Sequence, residues 1–184
     1  MQPPCPSRIR VLKADDLPVI FEIINDSARA YQGVIPPDAW HEPYMSLDEL
    51  ESEIRKGVRF YVFEMAGRIL GVMGIQEVKD VTLVRHAYVR TECRGRGIGR
   101  SLLEYMIQLT HRPVLIGTWK AATWAIEFYR KNGFELVSAE AKDRLLRTYW
   151  TIPERQAQES VVLAKGRWFE QVYPLQPGDG RSNS

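Results

Sequence analysis

Residues Tyr88 to Tyr105 read YVRTECRGRGIGRSLLEY, and the fold turns on how this stretch is read. Ala87-Tyr88-Val89 closes a run of strand character. Arg94-Gly95-Arg96-Gly97-Ile98-Gly99 comes next, and then Leu102, Leu103, Met106 and Ile107 recur at helical spacing. The order is strand, tight loop, helix. Glycines admit backbone conformations closed to other residues, so several N–H groups can converge at the helix start, where the dipole also favours an anion. A phosphate-bearing ligand belongs there. Spacing excludes two common ones. The sixth position from Gly95 is Arg100 and from Gly97 it is Leu102, so the dinucleotide pattern G-x-G-x-x-G is not met. Gly99-Arg100-Ser101 carries arginine where the mononucleotide P-loop needs lysine, and the first glycine of that motif would fall on Arg94. The next strand, ending Ile116-Gly117-Thr118, has no acidic residue to hold a ribose.

What fits is Arg94-x-x-Gly97-x-Gly99, which resembles the Q/R-x-x-G-x-G/A acetyl-CoA loop of the GNAT N-acetyltransferases. A second stretch, Ala125-Ile126-Glu127-Phe128-Tyr129-Arg130-Lys131-Asn132-Gly133-Phe134, is similar to the family's later A-x-x-F-Y-x-K-x-G-F signature. Its local physics agrees, because Gly133 is a helix stop and Arg130 and Lys131 suit the negative end of the dipole. The resemblance implies a mixed α/β fold, with a twisted, mostly antiparallel sheet whose central parallel strands splay apart between flanking helices. It implies acetyl-CoA as the donor and a primary amine as the acceptor, on a small molecule, an amino acid or a peptide, reacting by direct attack in a ternary complex. A homodimer is one assembly the family uses, and nothing in this sequence fixes it. The competing class is a regulatory module that binds acyl-CoA without turnover.

Composition sets the outer bounds. The chain has 184 residues, 45% hydrophobic and 26% charged, which is room for one domain with a sizeable core. The expected layout is a flexible leader over 1–7, a single domain over 8–173 and a flexible tail over 174–184. A net charge of +2 is too even to suggest a nucleic-acid or membrane surface. Cys5 and Cys93 form no disulfide framework, no apolar run has the length of a membrane span, and the start lacks a signal-peptide core; the cytosol is therefore the expected compartment. His41, His86 and His111 share no metal-ligand spacing, and no metal is expected.

Read in order, 8–13 is a strand and Asp15-Asp16 caps a helix running to about Tyr31, with Leu17, Ile20, Phe21, Ile24 and Ala28 as its apolar stripe. Ser46-Leu47-Asp48-Glu49 is a capping box for a helix that ends at Gly57. Strands follow over 58–65, 69–78 and 81–89, then 113–118 after the central helix. A right-handed crossover makes that last strand parallel to the one ending at Val89. Residues 134–137 and 160–164 form a closing hairpin, with a helix over 141–150 between them whose Arg144 and Arg147 lie on its rim, either as a solvated face or with one of them receiving a carboxylate of the acceptor.

The resemblance assigns Ala87, Tyr88, Val89, Arg94, Gly95, Arg96, Gly97, Ile98, Gly99, Arg100, Ser101 and Tyr129 to the donor. A backbone N–H among Ala87 to Val89 is to receive the oxyanion. Tyr129 is the implied general acid, and its ordinary pKa near 10 keeps it able to donate. Glu77, His86, Glu64 or a water relayed by one of them are open alternatives for the general base, and an amine of low pKa needs none. Strict alternation puts His86 and Arg85 on opposite faces, and a bulge would exchange them. Tyr31, Trp40, Tyr44 and Arg85 are candidates for the acceptor wall. Ala122 departs from the family pattern, which has asparagine there to hold the donor arm; Thr118 or a backbone group can take its place.

Overall fold

The computed structural model describes residues 7–165. Its frame is a seven-stranded sheet in the order β1-β2-β3-β4-β5-β7-β6. The strands are β1 (Ser7–Val11), β2 (Arg59–Met65), β3 (Arg68–Val78), β4 (Val81–Val89), β5 (Val114–Trp119), β6 (Phe134–Leu136) and β7 (Ser160–Lys165). All neighbours are antiparallel except β4 and β5, as the crossover reading predicts. Ser7 opens β1, so the sheet begins one residue inside the expected leader. The rest of that leader and the expected tail lie outside the described residues.

Helices cover both faces. On one face lie α1 (Leu17–Ala28) and α2 (Leu47–Arg55) over β2 to β4, where Ile20, Ile23, Ile24 and Leu50 bury against Phe60, Val62 and Val72. Further along the same face, α5 (Ala139–Tyr149) sets Leu145 and Leu146 on Leu83, Leu115 and Val162. The opposite face carries α3 (Ile98–Gln108) and α4 (Thr123–Lys131), whose Leu102, Leu103, Met106 and Tyr129 pack on Met73, Val84 and Ile116. Fully burying each of these aliphatic side chains contributes about 1.5–3 kcal/mol.

The helix ends follow sequence chemistry with one exception. Ser46 and Glu49 close their capping box on α2, the Ser46 side chain accepting from the Glu49 N–H at 3.2 Å and the Glu49 carboxylate accepting from the Ser46 N–H at 2.7 Å. Asp16, expected to cap α1, makes no such bond. Its carboxylate accepts instead from the Lys13 N–H at 2.8 Å and from the Arg10 guanidinium at 2.6 Å, and Pro18 in the first turn removes one donor that a cap would serve. A short helix the sequence did not announce, α6 (Glu154–Gln158), lies between α5 and β7. Five residues are too few for a periodic pattern.

Candidate active site

The site begins where the sheet comes apart. β4 and β5 pair only at Thr82↔Val114, Leu83↔Leu115 and Val84↔Ile116. Beyond that point β4 stays with β3 to Val89, while β5 stays with β7 to Trp119, and a gap opens between the parallel strands. The Arg90 N–H donates to Leu70 O on the β3 side, so alternation turns the N–H groups of Val89 and Ala87 into the gap. A cleft of about 820 Å³ occupies it, in the ordinary size range for small-molecule sites.

At one end of the cleft stands the N-terminus of α3. Gly95 and Gly97 take φ of 76° and 79°, in the left-handed region, and a Cβ on either would point into open space. Gly97 is the helix N-cap without a side-chain cap bond, so the first-turn amides have no partner within the helix. Arg100, Lys131 and Asn132 line this end as well. Open amides, a positive dipole end and two cations suit a pyrophosphate. The arginines of the motif differ in use. Arg94 turns to the end of α1, donating to Ser27 O at 2.9 Å and Ser27 Oγ at 3.1 Å. Arg100 pairs with Glu104 at 2.7 Å, and Arg96 is exposed outside the lining. The Ser101 N–H donates to Gly97 O at 2.9 Å, inside the helix.

Tyr129 reaches the cleft from α4, held edge-on between Phe128 and Phe134 at centroid distances of 5.0 and 6.0 Å. Burial pushes its phenol well above the ordinary value, so it stays protonated and able to donate. Across the gap, β4 carries one extra residue between the pairs Val72↔Tyr88 and Gly74↔Arg85, and His86 there has φ of 52°. The bulge overrules alternation, so that Arg85 and His86 face the same way, toward Glu53 of α2. The Glu53 carboxylate lies 2.9 Å from His86 Nε2 and 2.8 Å from the Arg85 guanidinium, which also donates to Gln76 Oε1 at 2.9 Å. Burial acts to raise the Glu53 pKa, yet the His86 hydrogen bond and the Arg85 charge hold it down, at about 2. Burial pushes His86 below its ordinary value, against the pull of Glu53. Glu53 gave no signal in the sequence, because 33 residues separate it from His86.

The other base candidates lie elsewhere. Glu77 sits outside the cleft lining, in ion pairs with Arg59 at 3.5 Å and Arg112 at 3.4 Å. Glu64 is likewise remote, spanned by Arg8 and Arg10 near β1 at 2.8 and 2.7 Å. Of the aromatic candidates, Tyr31 and Tyr44 line the cleft, whereas Trp40 backs it, stacked on Tyr44 at 5.6 Å. Three tryptophans absent from the expected set, Trp119, Trp124 and Trp150, complete the wall. Trp119 Nε1–H donates to Tyr44 Oη at 3.0 Å, and the Trp150 indole lies over Gly117, 3.3 Å from where a Cβ would be. Thr118 lines the cleft too, while Ala122 is fully buried under Trp119 and Ile35.

Comparison with known proteins finds the same fold elsewhere. Residues 56–136 match a family model described as an acetyltransferase (GNAT) domain. Peptidyl-lysine N-acetyltransferase YiaC of Escherichia coli (strain K12) is 24% identical over 142 residues, covering 77% of this chain and 92% of that protein. PaiA N-acetyltransferase from Thermoplasma acidophilum, solved in complex with coenzyme A, aligns with a TM-score of 0.65 at 19% identity over 87% of this chain and 98% of its own. The ribosomal-protein-S18-alanine N-acetyltransferase of Escherichia coli aligns at 0.62 and 17% identity, covering 87% and 93%.

Proposed function

We propose that the chain, whose residues 56–136 match a GNAT acetyltransferase domain, is an N-acetyltransferase of that family and moves the acetyl group of acetyl-CoA to a primary amine by direct attack, with His86 as base and Tyr129 as acid. The observation that carries this reading is the gap between β4 and β5, which has anion-binding amides at one end and a histidine and a phenol on its walls. Acetyl-CoA supplies an activated thioester. The chain's own groups do the rest.

The first turn of α3, with Arg100 and Lys131 beside it, holds the pyrophosphate. The N–H groups of Ala87 and Val89, free of any strand partner, bind the pantetheine arm and the carbonyl oxygen on which negative charge develops. A cationic amine must shed a proton before it attacks. With His86 Nε2–H donating to the Glu53 carboxylate, Nδ1 is left as the acceptor, and a lowered pKa keeps the ring neutral at physiological pH. When the C–N bond has formed and the C–S bond breaks, Tyr129 Oη gives its proton to the departing sulfur. Arg85 is a positioning residue that holds Glu53 ionised.

The test is titration of acetyl-CoA followed by thiol release over a panel of amines, with wild type beside Tyr129→Phe. Turnover that falls by about 10²-fold or more in the variant at unchanged donor affinity is expected of a lost general acid. Donor binding without turnover of any amine would refute the enzymatic reading in favour of an acyl-CoA-binding module.

A further inference from the structure

The acceptor end of the cleft has a composition that selects among amines. It lies on the face shared by α2 and α5, away from the α3 terminus, and is walled by Tyr31, Tyr44, Trp119, Trp150, Ile152 and Gln156. Among the described residues no aspartate or glutamate lines any part of the cleft. The charges nearest the acceptor end cancel: Arg85 faces it, but Glu53 behind neutralises Arg85, and His86 is kept uncharged by burial.

Such a wall disfavours a second ammonium. A polyamine in this arm would leave a desolvated cation without an anionic partner, a cost that the rings offset only in part. The same wall suits a planar apolar body, which gains burial and ring stacking and loses no hydrogen bond. The arm is also bridged. Arg155 of α6 pairs with Asp38 of the loop before α2 at 3.2 Å, and Trp119 bonds Tyr44 at 3.0 Å, so links of two kinds hold the loop against the β5–β7 side. That favours a small molecule over a polypeptide.

Building on the acetyltransferase reading, we infer that the acceptor is a small arylalkylamine, a single primary amine on a short stem from an aromatic ring. The preference is set by the tryptophan wall and by the lack of a carboxylate beside it.

The test measures kcat/KM by thiol release, at saturating acetyl-CoA, for 2-phenylethylamine, tryptamine, spermidine and a short lysyl peptide. The aryl amines are expected to exceed spermidine and the peptide by about tenfold or more, the scale of one unpartnered cation in a partly buried site. Two variants check the cause. Gln156→Glu places a carboxylate on the arm and is expected to shift the spermidine to phenylethylamine ratio about tenfold toward spermidine. Trp150→Ala is expected to erode the aryl preference, with acetyl-CoA affinity held. Wild-type preference for spermidine or the peptide, or a ratio unmoved in Gln156→Glu, overturns the inference while leaving the acetyltransferase reading in place. Failure to turn over any amine overturns both.

Discussion

Replacing Glu53 with glutamine tests the cluster that joins α2 to the bulged strand. The carboxylate is held at about 2 against an ordinary 4.5. At ~1.4 kcal/mol per unit, that depression corresponds to at most about 3.5 kcal/mol of stability, and solvent at the rim of α2 screens it to about 1.5 kcal/mol. Such stability is fully present above the unfolded value of 4.5 and fades as pH falls through about 2. Urea unfolding of Glu53→Gln should therefore show a loss of about 1.5 kcal/mol near neutral pH that shrinks in acid. Catalysis supplies an independent readout. As the proposed base His86 would act when neutral, so kcat/KM should fall on the acid side at a pH below 6.5, the ordinary histidine value. In the variant His86 faces Arg85 without an anion to offset it, which moves the acid limb to still lower pH. The plateau should drop about tenfold or more as the ring loses its orienting carboxylate. A variant with wild-type stability and an unmoved acid limb would refute the proposed coupling.

Three further outcomes follow from local geometry. Gly97→Ala forces a side chain into φ of 79° at the α3 N-cap and should weaken acetyl-CoA binding in calorimetric titration by about tenfold, with kcat at saturation less affected. Gly71→Ala brings a Cβ to 2.9 Å from Ile98 Cγ2 and 3.2 Å from Leu102 Cδ1, so α3 must shift; a loss of about 1–3 kcal/mol in chemical unfolding is expected, together with weaker donor binding. Trp119→Phe removes the donor to Tyr44 Oη and should cost about 1 kcal/mol in thermal unfolding while raising the acceptor KM and leaving donor affinity unchanged.

The geometry of the candidate donor end was legible in the sequence because it is carried by local spacing. Gly95, Gly97 and the helix after them lie within one short stretch, and the spacing from Ala125 to Phe134 places Tyr129 in a helix that stops at Gly133. Strand order near the centre was legible too, since a helical crossover of that length has one favoured hand. The acceptor end was not. Trp119 and Trp150 reach it from β5 and the end of α5, and Glu53 of α2 stands behind Arg85 and His86, so only tertiary packing brings them together. Asp16 looked like a cap because its residue type suits one, but Arg10 from β1 competes for the same carboxylate at 2.6 Å. The facing of Arg85 and His86 turned on one extra residue in a ladder, which leaves no compositional mark.

That extra residue divides β4 into lengths of opposite phase. Before it, Val81 and Leu83 face α5 and Val84 faces α3; after it, Tyr88 faces α1, while Ala87 and Val89 face α3. Odd and even positions exchange roles at His86. The hairpin end of the strand and its cleft end are thereby decoupled. A pattern of substitutions suited to one half is inverted for the other, and packing at the hairpin can drift without constraining which groups look into the cleft. Deleting His86 would restore a regular ladder with Tyr88 still opposite Val72 and with Ala87 and Val89 still on the α3 face, so the one loss would be the side chain that meets Glu53 beside Arg85. The extra residue is thus what lets two neighbours in sequence, Arg85 and His86, meet one carboxylate, an arrangement that a regular strand one residue shorter does not offer.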